Sequence, residues 1–72
     1  MKRIFRIENL DCANCAAKME RAIAKIEGVG EVSIAFMTER ITIDADDARF
    51  DEIVDKAEAA CRKVDRDVRI VR

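Results

Sequence analysis

The chain has 72 residues, half of them hydrophobic, and 14 basic side chains nearly balance 15 acidic ones for a net charge of −1. This length and composition indicate one small folded domain with a modest core. The interspersed charges and the lack of Trp and Tyr argue against nucleic-acid binding. No apolar run is long enough to cross a bilayer and no signal-peptide pattern is present, so we expect a cytosolic domain without direct membrane insertion.

The first half of the chain predicts a strand, a helix and a second strand. Apolar and charged residues alternate over residues 1–7, which is typical of a strand. The period changes to that of a helix over about residues 14–27, and Gly28 is expected to end this helix. Its apolar face consists of Ala16, Met19, Ala22, Ile23 and Ile26. Alternation resumes over residues 32–36 and predicts the second strand.

The second half predicts a strand, a helix and a last strand. Residues 37–39 form a turn and residues 40–44 alternate, so the two middle strands are expected to pair as a hairpin. The second helix spans about residues 49–64 and has an apolar face of Phe50, Ile53, Val54, Ala57, Cys61 and Val64. The last strand contains Val68, Ile70 and Val71. This βαββαβ order predicts a single α+β domain over residues 1–72, a ferredoxin-like sandwich with two helices on one face of a four-stranded antiparallel sheet.

The motif Cys12-Ala13-Asn14-Cys15 lies where the first helix is expected to begin. The unpaired amides and the dipole of a helix N-terminus favour thiolates, and two intervening residues let both sulfurs converge on one ion at about 2.3 Å. Such a pair serves metal binding or thiol–disulfide exchange. Asp11 directly precedes it, so we expect Cys12, Cys15 and Asp11 to be the metal ligands. The alternative role of Asp11 is to cap the helix, because Asp is a favoured N-cap residue.

The other sulfur-containing side chains are expected to be structural. Cys61 falls on the apolar face of the second helix, where a free cysteine behaves as a small hydrophobic residue; a remote third sulfur ligand is the alternative. Met19 matches the core period of the first helix, and Met37 falls in the hairpin turn. The chain has no histidine and therefore lacks the usual general base and the imidazole ligand. We expect no catalytic residue, and the domain itself is not expected to be an enzyme.

Residues 10–20, Leu-Asp-Cys-Ala-Asn-Cys-Ala-Ala-Lys-Met-Glu, resemble the metal-binding loop and helix of heavy-metal-associated domains. They are similar above all to the amino-terminal domains of zinc-, cadmium- and lead-transporting P-type ATPases. The likeness continues through Gly28-Val29 and the hairpin to residues 41–44, and so covers nearly the whole chain. It implies the same fold and one metal ion at the two cysteines. Asn9 and Leu10 depart from the family, which often has Gly and Met there, although Leu10 can fill the hydrophobic role of that Met beneath the loop.

The acid before the first cysteine favours a divalent ion as cargo. In the family, copper-handling members commonly carry an uncharged residue at this position, whereas Asp11 is similar to the divalent-metal members. A copper(I) ion with two thiolates is already −1, and a further negative charge about 4 Å away costs roughly 4 kcal/mol at an effective dielectric of about 20. A carboxylate oxygen is also a poor match for soft copper(I). We therefore expect Zn(II), Cd(II) or Pb(II), with Cu(I) held by the two sulfurs alone as the alternative.

Three protein ligands would leave one coordination position open, as metal exchange requires. We therefore expect the ion to pass by ligand exchange to or from a heavy-metal-transporting P-type ATPase, either in the same chain or separate. A freestanding metallochaperone is the alternative function. The domain is expected to be a monomer, and a metal-bridged dimer and a thiol–disulfide exchange enzyme are the remaining alternatives.

Overall fold

The computed structural model describes all of residues 1–72 and shows the predicted order of strands and helices. The elements are β1 (Lys2–Glu8), α1 (Ala13–Ala24), β2 (Val29–Ala35), β3 (Arg40–Ala45), α2 (Phe50–Val64) and β4 (Arg69–Val71), with a 3₁₀ turn at Asp47–Arg49 before α2. Together they form the ferredoxin-like α+β sandwich, so the predicted fold is confirmed. Neither helix is both long enough and apolar enough to span a membrane.

The four strands form one antiparallel sheet in the order β2-β3-β1-β4. β1 is central: it pairs with β3 on one side, where Phe5 lies opposite Ile41, and with β4 on the other, where Ile7 lies opposite Ile70. β2 and β3 pair as the predicted hairpin. Because β1 lies between β3 and β4, the loop that follows it opens beside the loop that leads into β4.

The core lies between the helices and one face of the sheet. Its fifteen buried side chains are all apolar: Ile7, Leu10, Ala16, Met19, Ile23, Ile41, Ile43, Ala45, Phe50, Ile53, Val54, Ala57, Cys61, Val68 and Ile70. On β3 every second side chain is buried, and on α2 the buried positions follow the helical period. Ile4 of β1 points to the opposite face of the sheet, where it is 67% exposed.

The end of α1 differs from the prediction, because the helix stops at Ala24 and not near residue 27. The amide of Lys25 donates to the carbonyl of Ala22 at 3.3 Å, and the amide of Ile26 donates to that of Ile23 at 3.0 Å. These bonds span three residues instead of four, so the last turn tightens and the α-helical pattern ends.

The structure also refines the predicted elements at Gly28, Phe36 and Val68. Gly28 has a φ of +97°, and a Cβ there would come within 2.8 Å of Cδ1 of Ile53, so the turn after α1 requires glycine. β2 ends at Ala35, and Phe36 lies in the turn with its ring still packed against the core. Val68 precedes β4 because its amide donates to the carbonyl of Asp65 at 3.2 Å and not to a strand, although its side chain is fully buried.

Candidate metal site

The cysteine pair lies at the N-terminus of α1, as predicted. Cys12 is the N-cap residue, with extended backbone angles, and its Sγ accepts a hydrogen bond from the amide of Cys15 at 3.3 Å. The amide of Ala16 donates to the carbonyl of Cys12 at 3.0 Å and closes the first turn. A sulfur therefore occupies the capping position that an oxygen of Ser, Thr, Asp or Asn usually fills.

The two thiols share one hydrogen bond, and each alters the acidity of the other. The pKa of Cys12 is lowered, chiefly because the thiol of Cys15 donates to its sulfur and then because the amide of Cys15 does the same. The pKa of Cys15 is raised, chiefly because that same bond holds its proton and then because of desolvation. The pair therefore favours a state with one proton between two sulfurs. Both cysteines are free and partly exposed, so an incoming thiophilic ion can replace that proton.

Asp11 precedes the N-cap and lies exposed on the surface. The alternative expectation, that Asp11 caps the helix, is wrong, because Cys12 fills that position. The chain contains no group of three or more Cys, Asp or Glu side chains placed to hold a metal ion together. The structure thus brings Cys12 and Cys15 together, whereas the carboxylate of Asp11 lies apart from them.

Charged neighbours from two regions of the chain act on the pair. The negative charge of Asp11 raises the pKa of Cys12, as a minor contribution. Behind the hydrogen bond to Cys12 and desolvation, the negative charge of Asp65 makes a minor contribution that raises the pKa of Cys15, and the positive charge of Lys18 opposes it. Asp65 lies in the loop between α2 and β4, fifty residues further along the chain than Cys15. Sequence reasoning missed this carboxylate because no local pattern links the two positions.

The side chains around the metal loop, which comprises residues 9–15, are buried or exposed as the sequence predicts. Leu10 is buried beneath the loop, and Met19, one helical turn after Cys15 in α1, is buried in the core. Cys61 is fully buried in α2, where desolvation is the main cause that raises the pKa of its thiol to about 11. Met37 is 88% exposed in the hairpin turn. The core role predicted for Met19 and Cys61 is confirmed.

The fold and the dithiol define a class of protein: a small ferredoxin-like domain with two free cysteines at the start of its first helix. The family model described as "Heavy-metal-associated domain" matches residues 4–64. The chain therefore belongs to the heavy-metal-associated domain family, as the resemblance of its metal loop implied.

Two relatives and one solved structure illustrate the range of this family. The zinc/cadmium/lead-transporting P-type ATPase of Shigella sonnei is 38% identical over 56 residues, which are 74% of this chain and 8% of the ATPase. Copper-transporting ATPase 1 of Rhizobium meliloti is 39% identical over 67 residues, which are 90% of this chain and 8% of that protein. The chain thus spans less than a tenth of these relatives. A CopZ metallochaperone structure superposes with a TM-score of 0.76 at 21% identity, covering 99% of this chain and 100% of its own, and supports the fold.

Proposed function

We propose that the domain binds one divalent heavy-metal ion, namely zinc, cadmium or lead, through the thiolates of Cys12 and Cys15, with Asp11 as a third ligand. The observation that carries this proposal is the pair of free, partly exposed cysteines whose sulfurs meet at the N-terminus of α1. Neither cysteine is among the fully buried side chains of the core, although Cys15 packs against it. The site accepts an ion by exchanging the proton that the sulfurs share.

The third ligand is supplied when the exposed carboxylate of Asp11 turns toward the bound ion. Two thiolates and a divalent ion form a neutral centre that attracts a further anion more than a copper(I) centre of charge −1 does. The side chain of Asp11 forms no hydrogen bond within the chain, so this movement breaks none. The relative from Shigella sonnei transports zinc, cadmium and lead, which supports the divalent assignment.

The domain hands its ion on by ligand exchange, as a cytosolic metal-binding domain of a heavy-metal-transporting P-type ATPase. Three ligands leave one position open, and a partner thiolate or carboxylate enters there before the first sulfur leaves. The site lies on a surface loop, where a partner can reach it. The domain itself performs no catalysis in this role. The similarity to ATPases of which it spans less than a tenth supports a place within, or beside, such a transporter.

A freestanding metallochaperone is the second candidate, and one observation favours it. The present chain covers the full length of the CopZ metallochaperone structure, so a domain of this size suffices for that class of protein. The likeness to a copper-transporting ATPase supports Cu(I) as the alternative ion, held by the two sulfurs alone. The sequence encoded downstream of residue 72 in the gene distinguishes the two candidates.

A competition titration tests the metal assignment. Zinc, cadmium, lead and copper(I) are titrated separately into the reduced protein against chromophoric chelators, and the series is repeated with Asp11→Ala. We expect Asp11→Ala to weaken the divalent ions roughly tenfold, or about 1.4 kcal/mol, and to leave copper(I) nearly unchanged. Asp47→Ala is the matched control, because it removes one carboxylate from the exposed turn before α2. Equal losses for all four metals in Asp11→Ala would remove the basis for divalent selectivity.

A further inference from the structure

Asn9 lies where the chain leaves β1 and turns toward the cysteines, and its φ is +64°. This left-handed region favours glycine, and Asn is among the few other residues that adopt it readily. Asn9 therefore meets the same backbone requirement and adds a side chain that glycine lacks.

That side chain connects two loops that are distant in sequence. Nδ2 of Asn9 donates to the backbone carbonyl of Asp67 at 2.9 Å, across 58 positions of the chain. The bond lies just beyond the last residue pair of β1 and β4, Glu8 with Arg69. The amide of Asn9 thus extends the contact between the two strands into the loops that follow and precede them.

The loop that Asn9 holds carries a carboxylate beside the dithiol. Asp65 is partly buried at the end of α2, where its amide donates to the carbonyl of Cys61 at 3.0 Å and its Oδ1 accepts from the amide of Asp67 at 3.0 Å. Asn9, Asp11, Asp65 and Asp67 line one cavity of about 330 Å³ next to the metal loop. Asp65 therefore lies on the same cavity as Asp11, which directly precedes Cys12.

We infer that Asn9 is a positioning residue: its side-chain amide holds the α2–β4 loop against the metal loop and so keeps the charge of Asp65 near Asp11 and the adjoining cysteine pair. The inference rests on the proposed function and deepens it. A fixed negative charge near the pair favours a divalent ion, because zinc converts the singly protonated pair of charge −1 into a neutral centre, whereas copper(I) replaces that proton and leaves the charge at −1. Selectivity then depends on a residue that touches neither sulfur.

The test compares zinc and copper(I) affinities of the wild type and Asn9→Gly, each measured against a chromophoric chelator. Glycine keeps the backbone conformation and removes only the amide. We expect Asn9→Gly to weaken zinc two- to fivefold, because Asp65 is no longer held near the site and the interactions of partly exposed charges are weak, and to leave copper(I) unchanged. Glu39→Gly is the matched control, because Glu39 also has a positive φ of 54° and its carbonyl, not its carboxylate, accepts its hydrogen bonds. This control should bind both metals as the wild type does.

A double-mutant cycle shows whether Asn9 acts through Asp65. In an Asp65→Asn background, Asn9→Gly should cause no further loss of zinc affinity. An unchanged zinc affinity in Asn9→Gly, equal losses for both metals, or additive effects in the cycle would overturn the positioning role. If the wild-type chain takes up no divalent ion at all, the proposed function fails first, so the two failures are distinguishable.

Discussion

The two helices of this domain begin with different chemistry. The first turn of α1 contains no acidic residue, and the sulfur of Cys12 is its cap. Four carboxylates surround the start of α2: Asp46 and Asp47 precede the helix, and Asp51 and Glu52 lie in its first turn. Oδ1 of Asp46 accepts from the amide of Ala48 at 3.2 Å and caps the 3₁₀ turn, whereas Arg49, the N-cap residue of α2 itself, makes no side-chain cap hydrogen bond.

This difference separates stability from binding. Carboxylates at the start of a helix stabilise it through the unpaired amides and the dipole. At α1 the same amides and dipole act on two thiols instead, and the chain places no carboxylate within the first turn to compete with them. The N-terminus of α1 is therefore left free to favour a thiolate, at the cost of a weaker cap.

The largest expected effect follows from removing the sulfurs of α1. Cys12→Ser with Cys15→Ser should weaken zinc binding by at least about 100-fold, because both proposed thiolate ligands are lost. The domain should stay folded, since serine is a good N-cap and both cysteines lie outside the buried core. Chelator competition measures binding, and circular dichroism measures folding.

Cys61→Ser is the matched control for that pair. It should bind zinc as the wild type does, while the free energy of unfolding falls by about 1–3 kcal/mol because a hydroxyl replaces a buried thiol. A loss of zinc affinity in Cys61→Ser comparable to that of the double variant would show that the third cysteine takes part in the site.

The pH dependence of stability should distinguish the buried cysteine from the exposed pair. The Cys61 thiol has a pKa raised to about 11 from an ordinary value of 9.0, so between these values the unfolded chain loses this proton and the folded chain keeps it. The stability that Cys61 contributes is therefore fully present below pH 9 and is lost as the pH rises toward 11, by roughly 2–3 kcal/mol in all. Urea unfolding of the wild type and Cys61→Ala measures it. The difference between the two proteins should shrink across this range, and parallel curves would contradict the assignment.

The cap of the 3₁₀ turn before α2 should contribute less. Asp46→Ala should lower the free energy of unfolding by about 0.5–2 kcal/mol, because the amide of Ala48 loses its acceptor. Zinc affinity should not change, since this turn serves stability only. Asp47→Ala, which removes a neighbouring carboxylate from the same exposed turn, should cost less than Asp46→Ala. A loss of zinc affinity in Asp46→Ala would contradict the separation of the two helix starts.

Much of this arrangement could be predicted from the sequence, because it depends on short-range patterns. The alternation over residues 40–44 and the helical period of α2 predict which faces are buried, and the period predicts that Cys61 packs in the core. The spacing of Cys12 and Cys15 likewise predicts a pair at the start of a helix. Each of these features is determined within a few residues along the chain.

Other features depend on contacts that no local pattern encodes. Asp11 could be a cap by residue type, but the structure gives that position to Cys12, because the helix begins at Ala13, one residue later than a cap at Asp11 requires. Asp65 and Asn9 reach the site through the pairing of β1 with β4, which brings together two loops more than fifty residues apart. The fold expected from the sequence predicts which strands pair, but it does not predict which side chains of the loops contact each other.

The smallest expected effect comes from giving α1 the kind of start that α2 has. Ala13→Glu places a carboxylate in the first turn of α1, at an exposed position. It should raise the free energy of unfolding by about 0.3–1 kcal/mol and, by competing for the same dipole, slow alkylation of Cys12 at neutral pH about two- to fivefold. Ala24→Glu is the matched control: it adds the same charge at the other end of α1, where it should destabilise the helix slightly and leave Cys12 as reactive as before. Peptide mass spectrometry after a short iodoacetamide pulse measures the alkylation of Cys12 alone. If both variants slow it equally, the net charge of the chain governs this thiol, and the difference between the two helix starts has no chemical consequence.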